Sequence, residues 1–372
     1  MRIGIDARMY RISRAGIGRY TQNLIEHILK IDKKNKYLLF LKKEDFSQCK
    51  LENPNLVKIK TKSDHYSISE QIEFRKVLQD AKLDLMHFTN FNHPIFYKGR
   101  FITTIHDLTL MFFPGRRKKS PLYRLMYKFM VKRACQNSSK IIADTNNTKK
   151  DIIRCFNTKP SKIKVIYLAA EEIFFSKINP KLVIDLKKEY NMTKPIILYI
   201  GQWRKHKNLV RLLEAFKFVK NKFNIDCQIV ICGTKDPAYP EIIETIDRLK
   251  LFDDTIMPGF IDSAQLPLWY KMADVFVFPS FYEGFGLPPL EAMAVGTPVV
   301  ASKSSCLPEV LGDAAVYFDY TSSKDLADKI ASVLKKKSLR AELKRKGRKQ
   351  AKKYSWEKTA QETLEIYQRS FK

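Results

Sequence analysis

The sequence predicts an α/β protein built from two doubly wound, Rossmann-like parallel-sheet domains. Three observations predict it. The chain has 372 residues, more than a single core of about 250–300 residues accommodates. Short β-rich runs alternate with amphipathic helical runs, the pattern of parallel strands covered on both faces. The alternation comes in two blocks, with the polar stretch 181–194 between them as linker.

In the first block, residues 1–180, strands are expected at Ile3–Asp6, Tyr37–Leu41, Leu56–Lys60, Asp84–Phe88, Phe101–Ile105, Lys140–Ala143 and Lys164–Tyr167. Helices are expected to begin near Ile17, Ser67, Pro121 and Asn147. In the second block, residues 195–354, strands are expected at Ile196–Ile200, Cys227–Cys232, Thr255–Met257, Asp274–Phe278, Pro298–Ala301 and Ala315–Phe318. Its helices begin near Asn208, Pro240, Ser263, Pro288, Ser323 and Ser338.

Composition narrows the class. Hydrophobic residues make up 45% and charged residues 29%, which excludes wholesale disorder. No apolar run approaches the roughly 20 residues of a membrane-spanning helix. The start, MRIGIDARMY, reads as a strand and not as a secretion signal. Six cysteines include no CxxC pair, so a reduced, cytoplasmic protein is expected rather than a disulfide framework or zinc site. The net charge is +29, and residues 1–180 carry most of it, 36 Lys and Arg against 16 Asp and Glu. Such a half implies an anionic partner: nucleic acid, anionic lipid or a phosphorylated substrate. A solvated, Lys-rich surface is the bland alternative.

Open parallel sheets bind ligands beyond the carboxyl ends of their strands, so the segments that follow strands matter most. The strongest runs from Ser280 through Glu283-Gly284-Phe285-Gly286-Leu287-Pro288-Pro289-Leu290-Glu291 to Pro298. A proline starts the helix and Gly296 stops it. Glycines admit close backbone approach, and a helix N-terminus favours phosphate. Taken alone, Glu291 reads as a complement to the helix dipole and Glu283 as solvated.

The context changes that reading. The stretch resembles the E-x7-E signature of retaining glycosyltransferases of family 4, which have the two-domain GT-B fold. The likeness continues through Gly259-Phe260-Ile261, Leu307-Pro308-Glu309, Tyr354-Ser355-Trp356 and the opening Ile5-Asp6-Ala7 with Gly16-Ile17-Gly18-Arg19-Tyr20. It covers essentially the whole chain and is nearest to the mannosyltransferase-like branch that builds surface polysaccharides.

The resemblance implies two Rossmann-like domains facing across a cleft: acceptor side 1–180, nucleotide-sugar side 195–354, and a helix over 355–372 crossing back to the first. Glu283 would contact the transferred sugar. Phe285, Gly286 and Leu287 would present backbone amides, Glu291 would bind ribose hydroxyls, and Phe260 would lie near the nucleobase. His106 would act at the donor sugar, with Asp107 orienting His106 or the loop. Gly16 and Gly18 open a helix that could approach phosphates, and Arg19 and Tyr20 would line the acceptor side. Arg204 and Lys207 supply cations where a diphosphate would leave. The chain holds no D-x-D triplet, so metal-independent transfer is expected, with no cofactor beyond the nucleotide-diphosphate sugar itself. No enzyme nucleophile stands out, which favours same-face attack over double displacement and leaves both open.

One feature lies outside these motifs. Residues 115–133 hold eight basic residues and no acid, including Arg116, Arg117, Lys118, Lys119, Arg124 and Lys128. The apolar face with Leu122, Leu125, Met126, Phe129 and Met130 is expected to pack on the sheet, leaving a basic stripe for anionic lipid on the inner face of a membrane, or for the acceptor side. Nucleic acid is the rival partner, but no recognition motif accompanies the charge, so none is expected. The reading is a retaining hexosyltransferase, with mannose preferred, acting on a lipid-linked or polysaccharide acceptor. A GT-B sugar-nucleotide epimerase and a basic nucleic-acid-binding protein are the alternatives.

Overall fold

The computed structural model describes residues 1–10, 15–115 and 120–371. The chain divides into two compact units, one of Met1–Phe112, Lys118–Leu168 and Ser355–Lys372, the other of Ala169–Tyr354 with a short stretch that begins at Phe113.

The first unit holds seven parallel strands: β1 (Arg2–Asp6), β2 (Lys36–Lys42), β3 (Leu56–Thr61), β4 (Leu85–Phe88), β5 (Phe101–Ile105), β6 (Lys140–Ala143) and β7 (Ile163–Val165), in the order β3-β2-β1-β4-β5-β6-β7. Its helices are α1 (Ala15–Ile31), α2 (Lys43–Phe46), α3 (Arg75–Asp80, after a π-helical stretch Glu70–Phe74), α4 (Thr109–Phe112), α5 (Pro121–Asn137) and α6 (Asn146–Phe156). Strands β4 and β5 are buried at every residue, because helices cover both sheet faces. A buried ion cluster closes β1. The guanidinium of Arg8, fully buried, donates to Asp6 Oδ2 and Glu70 Oε1, both at 2.7 Å, and lies 3.8 Å from the centre of the Phe74 ring. Such a cluster is costly to desolvate and holds together only because its partners are all in place.

The second unit holds six parallel strands: β8 (Ile196–Ile200), β9 (Gln228–Cys232), β10 (Thr255–Gly259), β11 (Val275–Phe278), β12 (Val299–Ser302) and β13 (Ala315–Phe318), in the order β10-β9-β8-β11-β12-β13. Its helices are α7 (Pro180–Glu189), α8 (Leu209–Phe223), α9 (Glu241–Arg248), α10 (Leu266–Met272), α11 (Leu287–Val295), α12 (Leu307–Leu311), α13 (Ser323–Lys335) and α14 (Lys337–Ala351). The last helix, α15 (Trp356–Phe371), belongs to the first unit and packs on α1 and β4. It is pinned there by Tyr367, whose hydroxyl lies 2.8 Å from His87 Nδ1.

Two expectations are corrected. The units change over at Leu168, and residues 181–194 are not a bare linker. They carry most of α7, which Pro180 starts and the Asn179 side chain caps by accepting the Lys181 N–H at 3.0 Å. Of the expected apolar face of α5, only Met130 packs on the sheet, while Leu122, Leu125, Met126 and Phe129 are exposed. The buried residues are Tyr127, Met130, Val131, Ala134 and Cys135, which meet Ile105, Ile141 and Ile163. With the half-buried Tyr123, that stripe runs from residue 123 to residue 135. The Leu122, Leu125, Met126, Phe129 stripe gives way to Lys132, Arg133 and Gln136, so it cannot seat the whole helix.

Two histidines inside the first unit set its response to acid. Burial pushes His87 down to about 3 and His93 down to about 4. His93 Nδ1 donates to the Phe91 carbonyl, and its Nε2 is buried with no protein acceptor among the described residues. Each ring stays neutral when folded, while the unfolded chain takes up a proton near the ordinary value of 6.5. Stability is therefore full above that value and falls as pH drops toward the folded ones, by about 1.4 kcal/mol per pH unit for each ring. Denaturant unfolding of the first unit at pH 7 and pH 5 checks this; an unchanged midpoint would contradict it.

Candidate active site

Strand order decides which loops meet. In the second sheet β8 pairs directly with β11, Ile197 opposite Val275 and Leu198 opposite Phe276. This is the switch point, where connections leave in opposite directions and a crevice opens at the carboxyl ends. The loop after β8 carries Gly201 to Asn208, and the loop after β11 carries Pro279 to Gly286.

Hydrogen bonds tie the two loops together. The Phe281 N–H donates to the His206 carbonyl at 2.8 Å. Asn208, in the left-handed region at φ +59°, donates its amide to the carbonyls of Pro279 and Tyr320, each at 3.1 Å. Asparagine is among the few residues that adopt that backbone readily. His206 is buried and pushed down to about 2 by burial, with the Lys207 and Arg204 charges adding to the effect. It is a neutral packing residue.

The result is an ion pair at the switch point. Lys207 Nζ lies 2.6 Å from Glu283 Oε1, and the two side chains are only 15% and 14% exposed. The Phe278 ring lies 5.4 Å from the ammonium. Removal from water strengthens the pair and makes either charge costly to leave alone. Glu283 is also held through its backbone. Its N–H donates to Ser305 Oγ at 3.0 Å, and its carbonyl accepts from Cys306 Sγ at 3.2 Å. Ser305 sits at φ +44°, a strained value for a non-glycine residue.

Gly286 caps α11 at φ +90°, and a Cβ there would stand 2.7 Å from Leu307 Cδ2. Pro288 and Pro289 fill the first turn and carry no N–H. The expected amides of Phe285, Gly286 and Leu287 lie just before these two prolines at the start of α11. The side chains of Phe285 and Leu287 are buried. Glu291 is 1% exposed, and its Oε2 accepts from the Tyr270 hydroxyl at 2.8 Å. Arg204 is exposed on the β8 loop, and Phe260 is exposed just beyond β10.

In the first unit, register again sets the partners. Ile105 lies opposite Ala143, so the next residues, His106 and Asp144, leave the sheet side by side. His106 Nδ1 is 2.8 Å from Asp144 Oδ2, and Nε2 is 2.9 Å from the Thr89 carbonyl. Two acceptors favour a doubly protonated ring. Burial works against that charge, but Asp144 and the Thr89 carbonyl outweigh it and raise the His106 pKa above its ordinary value. Tyr20 packs edge-on against the ring, centroids 4.6 Å apart. It is buried, hydrogen-bonded to Thr104, and so does not line an acceptor surface. Asp107 holds the loop instead of the histidine, accepting the Thr109 N–H at 2.7 Å. Gly16 begins α1 exposed, with no described atom within 4 Å of where its Cβ would stand, and Gly18 is buried in the same turn.

Glu283 and Lys207 are thus brought into contact, Arg204, Phe285, Gly286, Leu287, Glu291 and Phe260 belong to the same unit, and His106, Gly16 and Gly18 belong to the other. Arg124 and Lys128 are exposed on α5, while Arg116, Arg117, Lys118 and Lys119 lie outside the described residues. Sequence reading gave no site role to Asp144, Asn208, Ser305 or Tyr270. Among the described residues no cluster of three or more His, Cys, Asp or Glu forms a metal-binding group, and no helix is long and apolar enough to cross a membrane.

This architecture, two Rossmann-like parallel-sheet units, is the GT-B fold of glycosyltransferases. The structure is similar over 100% of the chain to sucrose-phosphate synthase from Thermosynechococcus elongatus, covering 99% of that chain with a TM-score of 0.80 at 21% identity. Residues 15–170 match the family model described as Glycosyltransferase Family 4, and residues 183–350 match Glycosyl transferases group 1. The chain is 30% identical to O-antigen chain mannosyltransferase B of Escherichia coli over 78% of its length and 75% of that protein's. It is 26% identical to O-antigen chain mannosyltransferase RfbU of Salmonella typhimurium, over 62% of this chain and 60% of that one. The chain belongs to this group 1, family 4 class of glycosyltransferases and is a hexosyltransferase.

The His106–Asp144 pair gives a direct test. Asp144→Asn removes the charge that favours the imidazolium, so the His106 ring should titrate at lower pH than in the parent protein. NMR titration of the histidine ring protons reads this; an unmoved His106 curve would contradict the assignment.

Proposed function

We propose that the protein transfers a hexosyl unit, mannose by preference, from a nucleotide-diphosphate sugar to a lipid-linked or polysaccharide acceptor, with retention and without a metal. The observation that carries the reading is the Lys207–Glu283 pair, set 2.6 Å apart at the switch point beside the N-terminus of α11. A carboxylate there accepts hydrogen bonds from sugar hydroxyls. An ammonium there stabilises the negative charge that develops on a leaving diphosphate.

In this reading the diphosphate draws Lys207 from Glu283, Arg204 adds a second cation, and the amides of Phe285, Gly286 and Leu287 complete the anion site. Two cations and a set of backbone donors do the work that a metal does elsewhere, which supports metal-free transfer. Glu291, fixed by Tyr270, binds the ribose, and Phe260 covers the nucleobase. On the first unit, His106 acts at the sugar, and Gly16 and Gly18 admit phosphate. Mannose as the sugar, and a surface-polysaccharide acceptor, rest on the likeness to the O-antigen mannosyltransferase. The basic first half, with no acid between Asp107 and Asp144, supports a cytoplasmic enzyme held peripherally on an anionic membrane. That charge also disfavours an epimerase, which needs no such surface, while the Glu283–Lys207 site is unexplained in a nucleic-acid binder.

Transfer from GDP-mannose, UDP-glucose and ADP-glucose, followed by NMR, tests the reading. The product should keep the donor's anomeric configuration, and EDTA should leave the rate unchanged. Glu283→Gln should lower kcat by about 100-fold or more, the scale of losing one oriented electrostatic group. An inverted product, activity restored only by magnesium or manganese after EDTA, or near-normal turnover in the variant would each overturn the matching part.

A further inference from the structure

We infer that α5 is an insertion helix, which seats its outward apolar side chains among the acyl chains of an anionic bilayer while neighbouring cations hold the headgroups. This deepens the proposed membrane association and rests on it. Leu122, Leu125, Met126 and Phe129 are 65%, 65%, 58% and 50% exposed. They project as one stripe over two turns, opposite the face that Tyr127, Val131 and Ala134 bury. Arg124 and Lys128, both exposed, lie one turn apart on the flank between Leu125 and the buried face.

A groove of about 360 Å³ lies between this face and α4, lined by Leu110, Met111, Pro121 and Leu125 with Arg124 and Lys128. Apolar walls with two cations match one molecular chemistry, a hydrocarbon chain next to a phosphate. Charge complementarity commits the face to anionic lipid, since the sequence from Leu108 to Ala143 contains no Asp or Glu. An amphipathic helix of this composition lies in the interface plane and does not span it. Charge alone would release in salt, whereas buried apolar side chains hold on after the charges are screened.

The test uses the full chain with vesicles of phosphatidylcholine alone or mixed with phosphatidylglycerol, at low and high salt. The parent protein should bind the mixed vesicles and keep a salt-resistant fraction. Phe129→Trp should shift its added emission to the blue when those vesicles are present. Leu125→Ser with Phe129→Ser should weaken partitioning about tenfold or more, the loss of two inserted side chains. Both positions are exposed, so the melting temperature and transfer to a soluble acceptor should not change. Complete release by salt with no blue shift would overturn insertion and leave electrostatic adsorption standing. Binding to neither vesicle would overturn both. Self-association of the parent chain that the double Ser variant abolishes, with no vesicle binding, would assign the face to a second copy instead.

Discussion

The direct pairing of β8 with β11 is the constraint on which the candidate site depends. Lys207 and Glu283 are 76 residues apart in sequence. They meet because each follows one of two neighbouring strands and leaves the sheet at the same edge. The loop ties then remove the remaining freedom. The Phe281 to His206 backbone bond and the two bonds from Asn208 fix the spacing of the loops. A site held by backbone bonds and a buried asparagine is preorganised, and preorganised charge is what electrostatic catalysis requires.

The first unit solves a similar problem with a different outcome. The β5–β6 register places His106 beside Asp144. Both ring nitrogens are occupied, one by a carboxylate and one by a carbonyl. Such a ring is poorly suited to shuttling a proton and well suited to presenting a fixed face and a positive field. The threonines around it extend the same network. Thr148 donates to the His106 carbonyl, and Thr89, which accepts from the ring through its backbone, donates its hydroxyl to the Asp6 carbonyl at the end of β1. The strand ends of this unit are thus cross-linked where a ligand would approach.

Much of this was legible in the sequence, because parallel strands buried on both faces are written as short apolar runs and their ends as glycine and polar residues. The Glu283-to-Pro298 segment was legible because helix start, helix stop and glycines fall in one stretch. What escaped was whatever depends on lateral pairing. Asp144 reads as an ordinary acid after a strand until the register puts it beside His106. Asn208 reads as a helix-start residue, and its left-handed backbone and double bond to neighbouring loops are tertiary facts. Ser305 carries no signal at all in a Ser-rich turn. Helix α5 misled because apolar residues lie on two of its sides, and periodicity alone does not say which side the sheet takes. The polar stretch around α7 hid a helix because its Asn-Pro start is short and few of its residues are buried.

The central claim is that Lys207 exchanges the Glu283 carboxylate for the diphosphate of the donor. A double-mutant cycle on nucleoside-diphosphate affinity, read by calorimetry, tests it most directly. Lys207→Ala should weaken binding by about ten- to a hundredfold, as expected for a lost charge-assisted bond. Glu283→Gln should leave affinity unchanged or raise it in the parent background, because it frees the lysine, and should lose any such gain when Lys207 is already alanine. An equal loss of affinity on Glu283→Gln in both backgrounds would contradict the account, since the carboxylate would then act on the nucleotide independently of the lysine.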